Sequence, residues 1–487
     1  MMPMNPVRHI LNKILEDIIP TKQELLKIEN IVKQLKDLLN SRAKVLNIEY
    51  TNIEAQGSTG IKNTQLKGDF DIDLFIGLDY ELYKHNYKGL SKNKKKKQLK
   101  SLFLKLCNSW LIKSLQNEHF LEPRLLYAEH PYVTTYYLMD NDKIKVDIVL
   151  YFDLSIEYID KNGPITAVDR SPWHGRFIRD NLSFSQKNDV RLLKQFFKAA
   201  HCYGDKSAVG RVGFIGYSAE LLIYYFGDII TVFEHFHELE KTFLDYYHRS
   251  NKELNDIKHF QNDYLIIIDP IDKNRNVASA ISKSAYKYCK YLILKFLKAP
   301  ETNYFELSPI PEANLNEFDE DKIKHFYILE LLNKNPDKHY TVNRDKLYSL
   351  ADSIKATGEK EYNHTERFGN IEFELYFNET TNEYDLSFFV EHPNISQIYL
   401  RQGPPFNEKY HVKKFKEKNP NFIARNDYLW VETKRDYIDF LKFLSEYVNE
   451  NLPENFQIIN ISTVKGIKTS LAKKTLHILN KMVLPFI

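Results

Sequence analysis

Apolar and polar positions along this chain repeat with two periods, and the places where one gives way to the other mark its elements. Thr21 and Glu24 form a capping box, and Leu25, Ile28, Val32, Leu35 and Leu39 then recur along one helix face. A strand is expected near Val45 to Glu54. From Asp71 to Ile76 the period is two: Ile72, Leu74 and Ile76 share one side, and Asp71, Asp73 and Phe75 the other. A lysine-rich start, Lys92 to Lys100, leads into a helix with Leu99, Phe103 and Leu106 on its apolar side. Tyr132 to Leu138 and Lys143 to Tyr151 read as strands joined by a turn at Asp140, Asn141 and Asp142. In the second of these Val146, Ile148 and Leu150 share a face, and Asp147 sits on the other.

Residues 164–174, PITAVDRSPWH, read as a loop ending in Trp173 and His174. A long helix follows, with Val190, Leu193, Phe197 and Ala200 as its core face. Another helix covers Tyr217 to Phe226, and Asp228 can cap the next. Ile266 to Ser282 reads as a buried strand breaking into a polar turn that carries Arg275. Ser284 to Leu297 is helical up to Pro300, where a domain boundary is expected. Beyond it, Ile371 to Phe377 and Tyr384 to Val390 alternate as a hairpin. Pro404 and Pro405 set Arg401 at a rigid corner beside a basic helix start with Lys413, Lys414, Lys416 and Lys418. Phe415, Phe422, Tyr428 and Trp430 interleave with those cations, as RNA-stacking faces or as core. No internal repeat is visible.

Composition narrows the class. At 487 residues the chain calls for several domains, and its 43% apolar content supports globular cores. No apolar run reaches membrane-spanning length, and the start of the chain mixes charges into its apolar positions, unlike a signal peptide. Cys107, Cys202 and Cys289 lie far apart in sequence without metal-ligand spacing, as expected of reduced thiols in a cytosolic protein. The net charge of +3 is small, but residues 395–487 hold 15 Lys and Arg against 9 Asp and Glu. That regional surplus suits a phosphate-bearing partner or simply a soluble surface.

The candidate chemistry lies in GSTGIKNTQLKGDFDIDLFIG, Gly57 to Gly77. A Gly-Ser turn offering backbone N–H groups suits phosphate oxygens. Two carboxylates on one strand face suit a divalent cation such as magnesium, though solvent-facing strands also carry such pairs by chance. Asp147 on a neighbouring strand would add a third carboxylate, enough for two magnesium ions and in-line attack on a nucleotide phosphate.

With that turn and those three aspartates, the chain resembles nucleotidyltransferases related to DNA polymerase beta. Five further blocks in order narrow the resemblance: AVDRSPWH from Ala167, RLLKQFFKAAHCYG from Arg191, GFIGYSAELLIYYFG from Gly213, DPIDKNRNVAS from Asp269 and RQGPPF from Arg401. Together they look like the archaeal, class I, CCA-adding tRNA nucleotidyltransferases. That resemblance implies an α+β protein with a nucleotidyltransferase head at 1–163, a helical neck at 164–300 and a tRNA-binding body and tail at 301–487. It implies template-independent addition of CCA to tRNA from CTP and ATP, with a poly(A)- or oligoadenylate-type polymerase and a non-catalytic tRNA-binding protein as alternatives. Asp71, Asp73 and Asp147 would hold two Mg2+ ions. Ser58, Thr59, Lys62, His174, Lys194, Tyr203 and Arg275 would bind the nucleotide, Arg275 helping to select the base. Arg401, Lys413 and Lys414 would meet the acceptor stem and top half of the tRNA. Lys62 stands where the family commonly has arginine, giving a point charge in place of a bidentate fork. A cytoplasmic, membrane-free enzyme is implied, with a homodimer an open question.

Overall fold

The helix announced by the capping box runs Lys22–Leu46 in the computed structural model of the chain, and both hydrogen bonds of the box form. The structure describes residues 6–69, 71–87, 89–127, 130–139, 142–335, 338–361 and 365–487. The chain is α+β and divides into two compact units. One comprises Met1–Ala200, Phe214–Ile281 and Lys290–Glu306; the other comprises His201–Gly213, Ser282–Cys289 and Leu307–Ile487.

The first unit holds a five-stranded sheet. Its strands are β1 (Asn52–Gln56), β2 (Ile72–Leu78), β3 (Phe120–Tyr127), β4 (Pro131–Met139) and β5 (Asp142–Phe152), ordered β1-β2-β5-β4-β3. Only β2 and β5 pair in parallel. Leu74, Ile76, Val146, Ile148 and Leu150 are fully buried on one face in a core with Leu35 and Leu39 of the long helix, Phe103 of the helix Lys92–Leu106 and Trp110 of the π-helical turn Cys107–Leu111 after it. Each such side chain contributes about 1.5–3 kcal/mol by leaving water. Trp110 also donates its indole N–H to the Leu39 carbonyl at 2.9 Å. With the helices on that face, the polar positions of β2 and β5 are left on the other. The helices Ser171–Asn181, Phe184–Ala199, Gly216–Phe226 and Ile229–His235 complete this unit with a small hairpin, β6 (Ile268–Asp269) and β7 (Asp272–Asn276). Asp228 caps the last of these helices as expected.

The second unit is built on the sheet β14-β8-β10-β9, from β8 (Phe326–Asn333), β9 (Ile371–Asn378), β10 (Glu383–Val390) and β14 (Phe456–Thr463). The hairpin read at 371–390 is β9 and β10 in continuous register. A smaller sheet joins β11 (Ile398–Pro405), β12 (Ile423–Arg425) and β13 (Tyr428–Lys434), with the helix Lys409–Lys418 between its strands in sequence.

Several expectations are corrected. The capping-box helix continues to Leu46, so the strand placed at 45–54 begins at Asn52. Residues 167–181 are a 3-10 turn followed by a helix, not a loop, because Pro172 stands in the first helical turn, where its missing N–H costs nothing. Ile266 to Ser282 does begin with a buried strand, β6, that breaks into a turn, but Arg275 lies on a return strand, β7, and not in the turn. Pro404 and Pro405 do not exclude regular structure: β11 is an edge strand with a register shift between Gln402 and Pro405, so their missing donors break no interior ladder. Cys202 and Cys289, distant in sequence, meet as buried neighbours. The Asp140–Asn141 turn lies outside the described residues. Among the described residues no helix is long and apolar enough to cross a membrane.

Candidate active site

Parallel pairing of β2 with β5 sets Asp73 opposite Asp147 in register, on the face turned away from the core. Burial raises the Asp73 carboxyl to about 7, and the charges of Asp147 and Asp71 add to the rise. The Lys145 ammonium donates to Asp147 Oδ2 at 2.8 Å. The other oxygen, Oδ1, is buried without a hydrogen-bond partner. Gly57 lies over the pair with φ +69°, and a Cβ there would stand 2.6 Å from Asp73 Oδ2. Only glycine combines that backbone with room for the carboxylate.

These features fit a divalent cation: like charges held together, an unsatisfied buried oxygen and a backbone shaped to leave space. Asp71 is exposed just ahead of β2, and its charge acts on both Asp73 and Lys145. Among the described residues no group of three or more His, Cys, Asp or Glu side chains is arranged to hold a metal by itself. Two carboxylates suffice for magnesium when substrate phosphates and water complete its shell.

The turn after β1 is tied by its own backbone. Gly60 N–H donates to the Gln56 carbonyl, Ile61 N–H to Ala55 and Thr64 N–H to Ser58, at 3.1, 3.1 and 2.9 Å. A Cβ on Gly60 would lie 2.2 Å from the Ala55 carbonyl oxygen, so this close return requires glycine. The Thr59 hydroxyl is buried without a partner. Lys62 donates to Glu220 Oε2 at 2.6 Å and lies 4.7 Å from the Tyr217 ring centre.

Helix Phe184–Ala199 holds the turn from its other side. Arg191 donates from Nε to the Gln65 carbonyl at 2.9 Å and from Nη2 to the Asn63 carbonyl at 2.8 Å. Lys194 donates to the Thr64 carbonyl and hydroxyl at 3.1 and 3.0 Å and lies 3.5 Å from Glu220. Burial pushes the Lys194 ammonium down to about 8 although Glu220 opposes the fall. For Glu220, burial works against ionisation, but Lys62 and Lys194 hold the carboxyl below its ordinary value.

A second network centres on Asp269 at the end of β6. Its Oδ1 accepts from the Tyr217 hydroxyl and the Ile271 N–H, both at 3.0 Å. Its Oδ2 lies 2.8 Å from His174 Nε2 and accepts from Arg275 Nη1 at 2.7 Å. Burial alone would raise this carboxyl, yet the bonds and charges of His174 and Arg275 hold it well below the usual carboxylate range. Burial also pushes the His174 imidazole down, while the charge and hydrogen bond of Asp269 oppose the fall.

Asp73, Asp147, Lys62, His174 and Arg275 line one cavity of about 460 Å³, together with Tyr217 and Gly57. Carboxylates, a lysine and an arginine in so small a space can hold a cation and a polyanion together. Of the other residues expected at the site, Ser58 and Thr59 lie in the turn and Lys194 lies outside the lining. Tyr203, Arg401, Lys413 and Lys414 belong to the second unit. There Arg401 bonds Thr433 and Asn419, both at 3.3 Å, and lies 5.5 Å from the Phe415 ring centre. Lys413 is exposed, and the Lys414 ammonium lies 4.5 Å from the Tyr410 ring centre. Sequence reading missed Glu220 and Asp269. Glu220 had left a signal, as the one charged residue in the apolar helix Gly216–Phe226.

Residues 188–306 match the family described as tRNA nucleotidyltransferase, second domain. The CCA-adding enzyme of Methanocaldococcus jannaschii is 28% identical over 476 residues, 94% of this chain and 96% of its own. That of Saccharolobus solfataricus is 28% identical over 453 residues, 93% of each chain. That of Pyrobaculum aerophilum is 30% identical over 307 residues, 63% of this chain and 64% of its own. A Cid1 poly(U) polymerase crystal structure aligns with 63% of this chain at 14% identity and a TM-score of 0.45, too slight a likeness to carry argument. Over nearly its full length the chain is similar to the archaeal CCA-adding enzymes, which act as tRNA nucleotidyltransferases.

Proposed function

We propose that this chain adds C, C and A to the 3′ end of tRNA from CTP and ATP without a template, releasing pyrophosphate. One observation carries the reading: under-neutralised carboxylates, Lys62 and Arg275 share a single cavity of about 460 Å³. A metal-bound nucleoside triphosphate calls for both kinds of charge at once, and a pocket of this size suits one nucleotide.

Asp73 and Asp147, with Asp71 beside them, would hold two Mg2+ ions. Bound there, such ions neutralise charge on the transferred phosphoryl group and ease deprotonation of the attacking ribose hydroxyl. The protein does the rest by positioning. Backbone N–H groups of the turn, Ser58, the Thr59 hydroxyl and Lys62 receive phosphate oxygens. Tyr217 and Glu220 keep Lys62 from collapsing onto the carboxylates. Lys194 acts from beneath, fixing Thr64 and Glu220. His174 and Arg275, each oriented by Asp269, face the nucleoside, and the Arg275 donors not spent on Asp269 select the base. Residues 1–163 serve as the catalytic head, 164–300 as the neck and 301–487 as the tRNA-binding body. In that body Arg401 and Lys414 offer cations beside aromatic rings, a combination suited to RNA, and Lys413 adds an exposed cation next to Lys414. We place the enzyme in the cytoplasm, and light scattering would tell a homodimer from a monomer.

The test is extension of tRNA lacking its CCA end, with CTP and ATP supplied separately and together. Two additions with CTP alone and a third only after ATP is added are expected. An unlimited A tail would instead mark a poly(A)-type polymerase, and tRNA binding without extension would mark a non-catalytic binder.

A further inference from the structure

Lys145 is a charged residue in direct contact with the carboxylate pair that the proposed reaction does not use. It lies on β5 two residues before Asp147, on the same face, and opposite Tyr136 of β4. Its ammonium sits 2.8 Å from Asp147 Oδ2, with the Lys145 side chain 36% exposed and that of Asp147 15%. The charge reaches further than this contact. Lys145 eases the ionisation of Asp73, and its own charged form is favoured by Asp147 and Asp71. A single ammonium thus serves three carboxylates.

We propose that Lys145 is a displaceable counter-ion: it occupies the carboxylate pair before substrate arrives and must leave Asp147 when a divalent cation binds. The inference rests on the reading of Asp73 and Asp147 as a metal site. A cation taken up by Asp147 would share a carboxylate with the ammonium, and like charges at such range repel strongly in a partly buried setting. Lysine suits the part. Its charge is a point on a flexible stem, so it can swing to solvent without breaking a bidentate pair, and it is already partly exposed.

A consequence for the order of binding follows. A free divalent ion must expel a resident cation and leave it without an anion. An ion arriving with a triphosphate brings the anion with it, and the released ammonium can pair there. Metal and nucleotide should therefore bind with positive coupling, and Lys145 should carry that coupling. The enzyme would favour the metal–nucleotide complex over bare metal.

The test is Mn2+ binding to the whole protein by electron paramagnetic resonance, without nucleotide, for the natural chain, Lys145→Met and Lys145→Gln. The partly exposed position makes folding of both variants expected, and glutamine keeps a polar stem where methionine does not. Both variants should bind Mn2+ alone about tenfold more tightly. The factor by which Mn2+ tightens a non-hydrolysable CTP analogue, read by calorimetry, should shrink by about the same amount. Equal or weaker Mn2+ affinity in both variants overturns the counter-ion role while leaving the metal site standing. No Mn2+ binding by any form, with or without nucleotide, overturns the metal site itself and this inference with it.

Discussion

Asp73 and Asp269 are both carboxylates of the first unit, both sit at one cavity or directly behind its wall, and their surroundings treat their charge in opposite ways. Asp269 collects four bonding partners: the Tyr217 hydroxyl, the Ile271 N–H, His174 and Arg275. Its carboxyl is held well below the ordinary range. Asp73 faces Asp147 across paired strands with Asp71 close by, and its carboxyl rises to about 7. A charge so fully satisfied holds structure together. A charge kept beside its like, under a glycine that leaves space, is waiting for a ligand. The two aspartates therefore predict opposite balances between activity and stability.

Replacing Asp73 tests the first half. Asp73→Asn should lower nucleotide addition by at least about a thousandfold, read as single-turnover extension of tRNA, because no other side chain replaces it opposite Asp147. The thermal midpoint should hold or rise, since a like-charge contact is relieved. A fall in the midpoint with intact addition would break the comparison at once.

Asp269 should behave in reverse. Asp269→Ala strands the Arg275 guanidinium and the Tyr217 hydroxyl beside a void, and breaking such a buried pair costs about 3–5 kcal/mol. Denaturant unfolding should show that loss, and the surviving folded fraction should still add nucleotides, with a raised KM. Glu220→Gln sits between the two. It removes a carboxylate paired with both Lys62 and Lys194, at a cost of about 2–3 kcal/mol. Because Lys62 lines the cavity and Lys194 does not, KM for the nucleotide should rise more than kcat falls.

These contrasts also explain what was readable before the fold was known. The Asp73–Asp147 pair was legible because period-2 alternation sets one carboxylate on the outer face of each strand, and that needs only local pattern. The long helix was legible for the same reason, its cap and its stripe lying within one segment. The Asp269 and Glu220 networks were not, since each gathers partners from remote segments: Lys62 and Glu220 are 158 residues apart. Proline sits in two of the corrected segments. At Pro172 it opens a helix, and at Pro404 and Pro405 it sits on a sheet edge, so in each place its missing donor was not needed. Only neighbours in space distinguish those roles from a break.

Glu374 in the second unit sharpens the comparison through the smallest effect. Burial lifts its carboxyl to about 7, the same value as Asp73. Yet no like charge accounts for the rise, and three donors meet it: Gly210 N–H at 2.7 Å, the Tyr348 hydroxyl at 2.5 Å and Leu375 N–H at 3.1 Å. A raised carboxyl is thus not by itself a mark of function; the cause has to be like charge and open space. The sign of the linkage gives the test. In the unfolded chain this group loses its proton near 4.5, and in the folded one near 7. Its protonated form therefore stabilises the fold below about 4.5, and that contribution is lost as pH rises through about 7, an effect on the order of 3 kcal/mol. Hydrogen exchange of β9 and β10 amides, corrected for intrinsic rate, should show protection falling between pH 5 and 8. Glu374→Gln should flatten that slope while leaving nucleotide addition unchanged. A slope that survives the substitution would move the titration to Asp385 on β10, also raised to about 7 by burial. A loss of addition instead would mean that Glu374 belongs with Asp73 after all.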